Sequence, residues 1–185
     1  MKSILIFASG NGTNAQNIID YFKDSSVIVS KILCNYSEAK VLDIARNENL
    51  PSSIISKTQL ENGEVLNLLR TIKPDLIVLA GFILKIPKEI TDEFRTVNVH
   101  PALLPKYGGK GMYGMNVHKA VVENKEKESG ITIHFVNENY DEGAIIFQEK
   151  FNILPSDLVE DVAQKIHKLE YEYFPKIIEK VILEH

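Results

Sequence analysis

Short apolar runs of strand length alternate along the chain with stretches in which apolar residues recur every three or four positions. The first kind of run suits a buried strand and the second one face of a helix, so the alternation predicts βαβ units and a largely parallel sheet. Ser3 to Ala8 reads as a buried strand, and Ala15, Ile18, Ile19 and Phe22 then mark one side of a helix. Val27 to Cys34 is a second strand, followed by a helix over Ala39 to Asn47 and a short strand over Ser53 to Ser56. Glu64 to Ile72 reads as a helix with Val65, Leu68, Leu69 and Ile72 inward, and Pro74 stops it. Asp75 to Phe82 is the most continuously apolar stretch and predicts a central strand covered on both faces. A short helix over Pro87 to Phe94 leads to a strand over Thr96 to His100. Further on, Met115 to Glu123 reads as a helix, Gly130 to Val136 and Ala144 to Phe151 as strands, and Val159 to Val181 as a long closing helix. From Leu104 to Met115 neither period holds, and four of the ten glycines lie there (Gly108, Gly109, Gly111, Gly114), which predicts an exposed functional loop.

Composition narrows the class. At 185 residues with 44% apolar and 25% charged positions, residues 1–182 are expected to form one globular domain, with Leu183 to His185 set aside as a possible tag remnant. Twenty-one basic against 25 acidic residues leave a net charge of -4, which gives no field for nucleic acid or an anionic membrane. A single cysteine, Cys34, excludes an internal disulfide and any multi-cysteine zinc site, and points to the cytoplasm. There is no H-E-x-x-H and no G-x-S-x-G, so no metal and no serine elbow are expected. No apolar run approaches the roughly 20 residues of a membrane span.

Three segments carry candidate chemistry. Ser9-Gly10-Asn11-Gly12-Thr13-Asn14-Ala15 joins a strand to a helix, where backbone amides and the helix N-terminus face an anion. Its spacing also matches a dinucleotide fingerprint, but the second strand ends Cys34-Asn35-Tyr36, without the acidic residue that would hold a ribose. A phosphate or phosphate-ester site is the favoured reading, with a ligand-free tight turn as the alternative. In Asn98-Val99-His100-Pro101, strand alternation puts Asn98 and His100 on one side, with Val97 and Val99 opposite. An amide beside an imidazole suits oxyanion stabilisation and proton transfer near neutral pH, although a satisfied buried histidine explains the same pattern. The third segment, Asn137-Glu138-Asn139-Tyr140-Asp141-Glu142-Gly143, is an acidic turn; Asp141 is the carboxylate expected to orient His100 and raise its pKa. His118, His134 and His167 carry less signal, and Glu170 reads as a solvated helix carboxylate.

Taken together, ILIFASGNGTNAQNII, DLIVLAGFILKIP, NVHPALLPKYGGKG, HFVNENYDEGAIIFQEK and KLEYEYFP resemble the folate-dependent formyltransferases from about residue 2 to about residue 180. The resemblance implies a three-layer α/β/α, Rossmann-like domain with a mostly parallel seven-stranded sheet. It also implies formyl transfer from 10-formyltetrahydrofolate, as cosubstrate, to the amino group of glycinamide ribonucleotide, without a metal. By matching position, Asn98, His100 and Asp141 would be catalytic; Gly12, Thr13 and Asn14 would cradle the phosphate, and Glu170 with His167 would reach the ribose or phosphate end. The pterin would lie against Ile83, Leu84, Lys85 and Ile86, against Asn98, and against the loop Asn137, Glu138, Asn139, Tyr140 and Asp141.

The chain departs from the family in two places. Gly108 to Asn116 is longer than in shorter members, and only His118 matches the second histidine of their H-x-H helix. Where members often carry an arginine for the folate tail, the nearest basic residue is Lys57. The expected partners are small molecules, for a monomer or homodimer. The competing readings are a formyltetrahydrofolate hydrolase, a sugar-nucleotide formyltransferase and a non-catalytic nucleotide-binding module.

Overall fold

The computed structural model describes residues 1–184. In chain order the elements are β1 (Lys2–Ala8), α1 (Thr13–Phe22), β2 (Val27–Cys34), α2 (Val41–Asn47), β3 (Ser52–Ile54), α3 (Lys57–Glu61), α4 (Glu64–Ile72), β4 (Leu76–Leu79), α5 (Lys88–Glu93), β5 (Thr96–His100), α6 (Met115–Glu123), β6 (Glu128–Phe135), β7 (Ile145–Asn152) and α7 (Val159–Leu183). The sheet has seven strands in the order β3-β2-β1-β4-β5-β6-β7. The first five positions pair in parallel, while β6 runs antiparallel to β5 and β7 antiparallel to β6.

Alternation divides the central strands between two cores. Ile4 and Ile6 of β1, Val78 of β4, and Val97 and Val99 of β5 pack beneath α1, α2 and α7. Leu5, Phe7, Ile77 and Leu79 face the other way, beneath α3, α4 and α5. The result is the expected three-layer α/β/α arrangement, with β4 covered on both sides.

The boundaries differ from the periodic pattern for identifiable reasons. β4 stops at Leu79 instead of Phe82 because Gly81, at φ 73, turns the chain away, and its carbonyl accepts from the Ser9 amide. β3 ends at Ile54 because Ser56 is the N-cap of α3, where Ser56 and Gln59 cap each other's backbone. The pattern did not predict α3. It packs beside α4 and widens the face that helix must cover, so Leu66 is buried with Val65 and Leu69, while Leu68 and Ile72 sit half-buried at the rim. α2 begins at Val41, since Tyr36 to Lys40 form a turn first. Of the segment Leu183 to His185, Leu183 closes α7 and His185 lies outside the described residues. Among the described residues, no helix is long and apolar enough to cross a membrane.

Candidate active site

The change from parallel to antiparallel pairing at β5 builds one end of the site. Opposed residues of an antiparallel pair share a face, and here Asn98 opposes His134 and His100 opposes Thr132. All four therefore point away from the core that takes Val97, Val99, Ile131 and Ile133. Loops following β5 and β6 cover this polar strip and enclose a cavity of about 650 Å³.

The segment after His100 is pinned from below. Buried Thr132 donates through Oγ1 to the Ala102 carbonyl (2.7 Å) and accepts from the Leu104 amide (3.0 Å) and from Gln148 Nε2 (2.8 Å). The chain then turns at Tyr107, whose hydroxyl donates to Glu126 (2.9 Å) and whose carbonyl accepts from His100 Nε2 (2.7 Å). On the other side, the turn after β6 returns over the strip and brings Asp141 3.6 Å from His100 Nδ1 and 3.6 Å from His134 Nε2. Gly143 makes that return possible, because a Cβ there would stand 1.7 Å from the Phe135 carbonyl oxygen. The Gly109 amide donates to Asp141 Oδ2 (2.9 Å), tying the glycine-rich loop to the same carboxylate.

Asn98, His100, His134 and Asp141 each have a protein partner. His134 Nδ1 donates to the Phe135 carbonyl (2.8 Å), so in its neutral form Nε2 accepts from Asn98 Nδ2 (3.1 Å). Burial raises the Asp141 pKa, but His134, His100 and the Gly109 amide beside it outweigh that and hold the carboxyl below its ordinary value. For His100 the balance is reversed. Burial pulls its pKa down more strongly than Asp141 and the Tyr107 carbonyl raise it, so the net shift is downward. That corrects the expectation of a raised value: Asp141 acts in the predicted direction, but the ring is only 3% exposed and loses more to desolvation. His100 is thus neutral at pH 7 and able to take up a proton, with an acceptor already waiting beside each ring nitrogen.

The far end is built on the turn between β1 and α1. Gly12 takes φ +77, and a Cβ there would lie 2.8 Å from Val41 and Ile44, so α1 begins at a point only glycine fits. The N-cap residue Gly12 has no side chain to cap α1, and Thr13 and Asn14 of the first turn line the cavity, where free amides and the helix dipole suit an anion. Glu170 on α7 is buried, accepts from Asn14 Nδ2 (3.0 Å) and lies 3.3 Å from His167 Nδ1. The Glu170 bond raises the His167 pKa. Asn35, at the position where a dinucleotide fold needs an acid, instead accepts from Ser9 Oγ (2.5 Å), and Ser9 in turn accepts from the Ile83 amide (3.0 Å). This bond ties the turn between β1 and α1 to the segment Ile83 to Ile86.

The lining of one cavity thus gathers Gly12, Thr13, Asn14, His167 and Glu170 with Asn98, His100 and Asp141 and with Ile83 to Ile86, Asn137, Asn139 and Tyr140. Glu138 is the exception: it lies off the cavity wall and pairs with Lys88 (3.4 Å). Lys57 is also away from the wall, paired with Glu61 (3.6 Å), whereas Lys85 lines it and stands over the Tyr140 ring. Sequence reasoning gave no role to His134 or to the Tyr107 carbonyl. Strand alternation within β6 could have placed His134 on a polar face, but a backbone carbonyl leaves no signature in residue type.

Both the sequence and the fold have counterparts among known proteins. The formyl transferase family model matches residues 2–178. A chloroplastic phosphoribosylglycinamide formyltransferase of Arabidopsis thaliana is 35% identical over 96% of this chain, which spans 64% of that relative's length. The phosphoribosylglycinamide formyltransferase of Haemophilus influenzae is 36% identical over 96% of this chain and 86% of its own. The crystal structure of glycinamide ribonucleotide transformylase 1 from Geobacillus kaustophilus superposes with a TM-score of 0.89 at 31% identity, covering 98% of this chain and 99% of that one. With the family model spanning nearly the whole domain, the chain belongs to the formyl transferase family.

Proposed function

We propose that this enzyme transfers the formyl group of 10-formyltetrahydrofolate to the glycine amino group of glycinamide ribonucleotide, a step of purine synthesis, in the cytoplasm. The observation that carries the proposal is that one cavity is lined by the start of α1, by Asn98, His100 and Asp141, and by the segment Ile83 to Ile86. A volume of about 650 Å³ falls within the range for small-molecule sites. The nucleotide phosphate takes the amides of Gly12 to Asn14, and Glu170 accepts from the sugar. The pterin lies along the backbone of Ile83 to Ile86 and the turn at Asn137 to Asp141.

The chemistry follows from this placement. The amine nitrogen attacks the formyl carbon and the carbonyl electrons move to oxygen, giving a tetrahedral oxyanion. The Asn98 amide, held by His134, donates to that oxygen. Neutral His100 takes up the proton leaving the amine at Nδ1, and the imidazolium so formed meets Asp141 on one side and the Tyr107 carbonyl on the other. Collapse breaks the bond to the folate nitrogen, which receives the proton. The products are the formylated nucleotide and tetrahydrofolate.

A steady-state assay with 10-formyltetrahydrofolate, run with and without glycinamide ribonucleotide, tests the reading. Formyl loss that requires the nucleotide and yields formylated product is expected. Equal loss without nucleotide would make the protein a hydrolase, and no loss in either case would leave a different acceptor or a silent module.

A further inference from the structure

The cavity wall carries a further buried imidazole that the reaction above does not use. His118 lies in α6, just beyond the glycine-rich loop, and is 4% exposed. Val117 and Val121 of the same helix pack against Ala102, which seats the helix over the chain that follows His100. The His118 ring borders the cavity, yet its Nδ1 is buried without a hydrogen-bond partner among the described residues. Leaving a buried polar atom unpaired is unfavourable, and such atoms are rare in native proteins unless a partner arrives from outside.

The neighbours indicate which partner that is. Glu170, His167 and His100 are the charged or titratable groups that act on the His118 ring. The first two belong to the nucleotide end of the cavity and the third to the reacting centre, so the ring stands between them. Burial draws its pKa below the ordinary histidine value and keeps it neutral at pH 7. A neutral imidazole offers one donor and one acceptor, which suits a hydroxyl or an amide better than a phosphate.

We propose that His118 contacts the nucleotide substrate, hydrogen-bonding the uncharged ribosyl-glycinamide stretch between the phosphate and the reacting amine. The assignment rests on the function proposed above. It divides recognition of one substrate among three chemistries: backbone amides for the phosphate, a buried carboxylate for a hydroxyl donor, and a neutral imidazole for a group that both donates and accepts.

His118→Phe tests it, since phenylalanine keeps an aromatic ring and removes both nitrogens. The expected result is a KM for glycinamide ribonucleotide raised about tenfold or more, with kcat within about threefold and the KM for 10-formyltetrahydrofolate unchanged. His118→Gln should recover part of that loss. The ligand-free His118→Phe protein should melt at the same or a higher temperature, because the unpaired nitrogen is gone. A lower melting temperature with both KM values rising together would overturn the proposal in favour of a structural role, and unchanged KM values would overturn it outright. Calorimetric binding of ribose 5-phosphate provides a separate readout. If the wild type fails to turn over glycinamide ribonucleotide, the functional reading falls, while weaker ribose 5-phosphate binding by His118→Phe still supports the contact.

Discussion

The two ends of the cavity are built on opposite principles. At the reacting centre Asn98, His100, His134 and Asp141 are all held by protein groups before any ligand arrives. At the other end, proposed above for the nucleotide, the amides at the start of α1 have no side-chain partner among the described residues, and the buried His118 Nδ1 between the two has none either. Preorganised groups cost little reorganisation when charge develops, so they act on the transition state. Groups left open gain their partner in the ground state, so they act on substrate affinity. The contrast teaches where each substitution should register: in kcat at one end and in KM at the other.

The largest effects should come from the paired end. His100→Ala and Asp141→Asn are expected to lower turnover by at least ~100-fold with little change in either KM, measured by steady-state kinetics. Wild-type turnover by both variants would remove the centre from the mechanism. Next comes Gly12→Ala, whose added Cβ would crowd Val41 and Ile44 at 2.8 Å in a backbone region that strains alanine. It should weaken nucleotide binding by about tenfold or more and lower the melting temperature, at a cost of order 1–3 kcal/mol in backbone strain. Glu170→Gln keeps an acceptor for Asn14 but loses the charge, and should raise the nucleotide KM about tenfold while leaving the folate KM in place.

The smallest effect is in the pH dependence of stability. The pKa values of His100 and His118 are both depressed in the folded protein. Their neutral forms therefore stabilise it fully above about pH 6.5, and that contribution is lost as pH falls through the depressed values. His167 has the opposite sign: raised by Glu170, it stabilises below about pH 6.5 and the contribution fades as pH rises through its higher value. At 62% side-chain exposure its share is discounted. Melting curves from pH 7 to pH 5 should thus fall for the wild type and fall less steeply for His118→Phe. Identical slopes would mean that His118 titrates as it does in the unfolded chain.

Much of this layout was legible in the residues. Period-2 alternation alone put Asn98 and His100 on one side of β5, and that side is the cavity. The S-x-x-Q signature of Ser56 to Gln59 was also there to be read, and it marks α3. The expected approach of Asp141 to His100 is made by the turn folding back over the strip, closed by Gly143 against Phe135. Two features were out of reach for physical reasons. The role of His134 depends on the register between β5 and β6, which is a long-range pairing. The direction of the His100 shift depends on how much water the ring loses, a property of the assembled fold and not of its neighbours in the chain.

The most direct test of the division between the two ends is binding of glycinamide ribonucleotide to Asp141→Asn, measured by calorimetry beside its turnover. A Kd within about threefold of wild type is expected while turnover falls at least ~100-fold. A loss of affinity as large as the loss of turnover would contradict it, because Asp141 would then serve the ground state and the two ends would not differ.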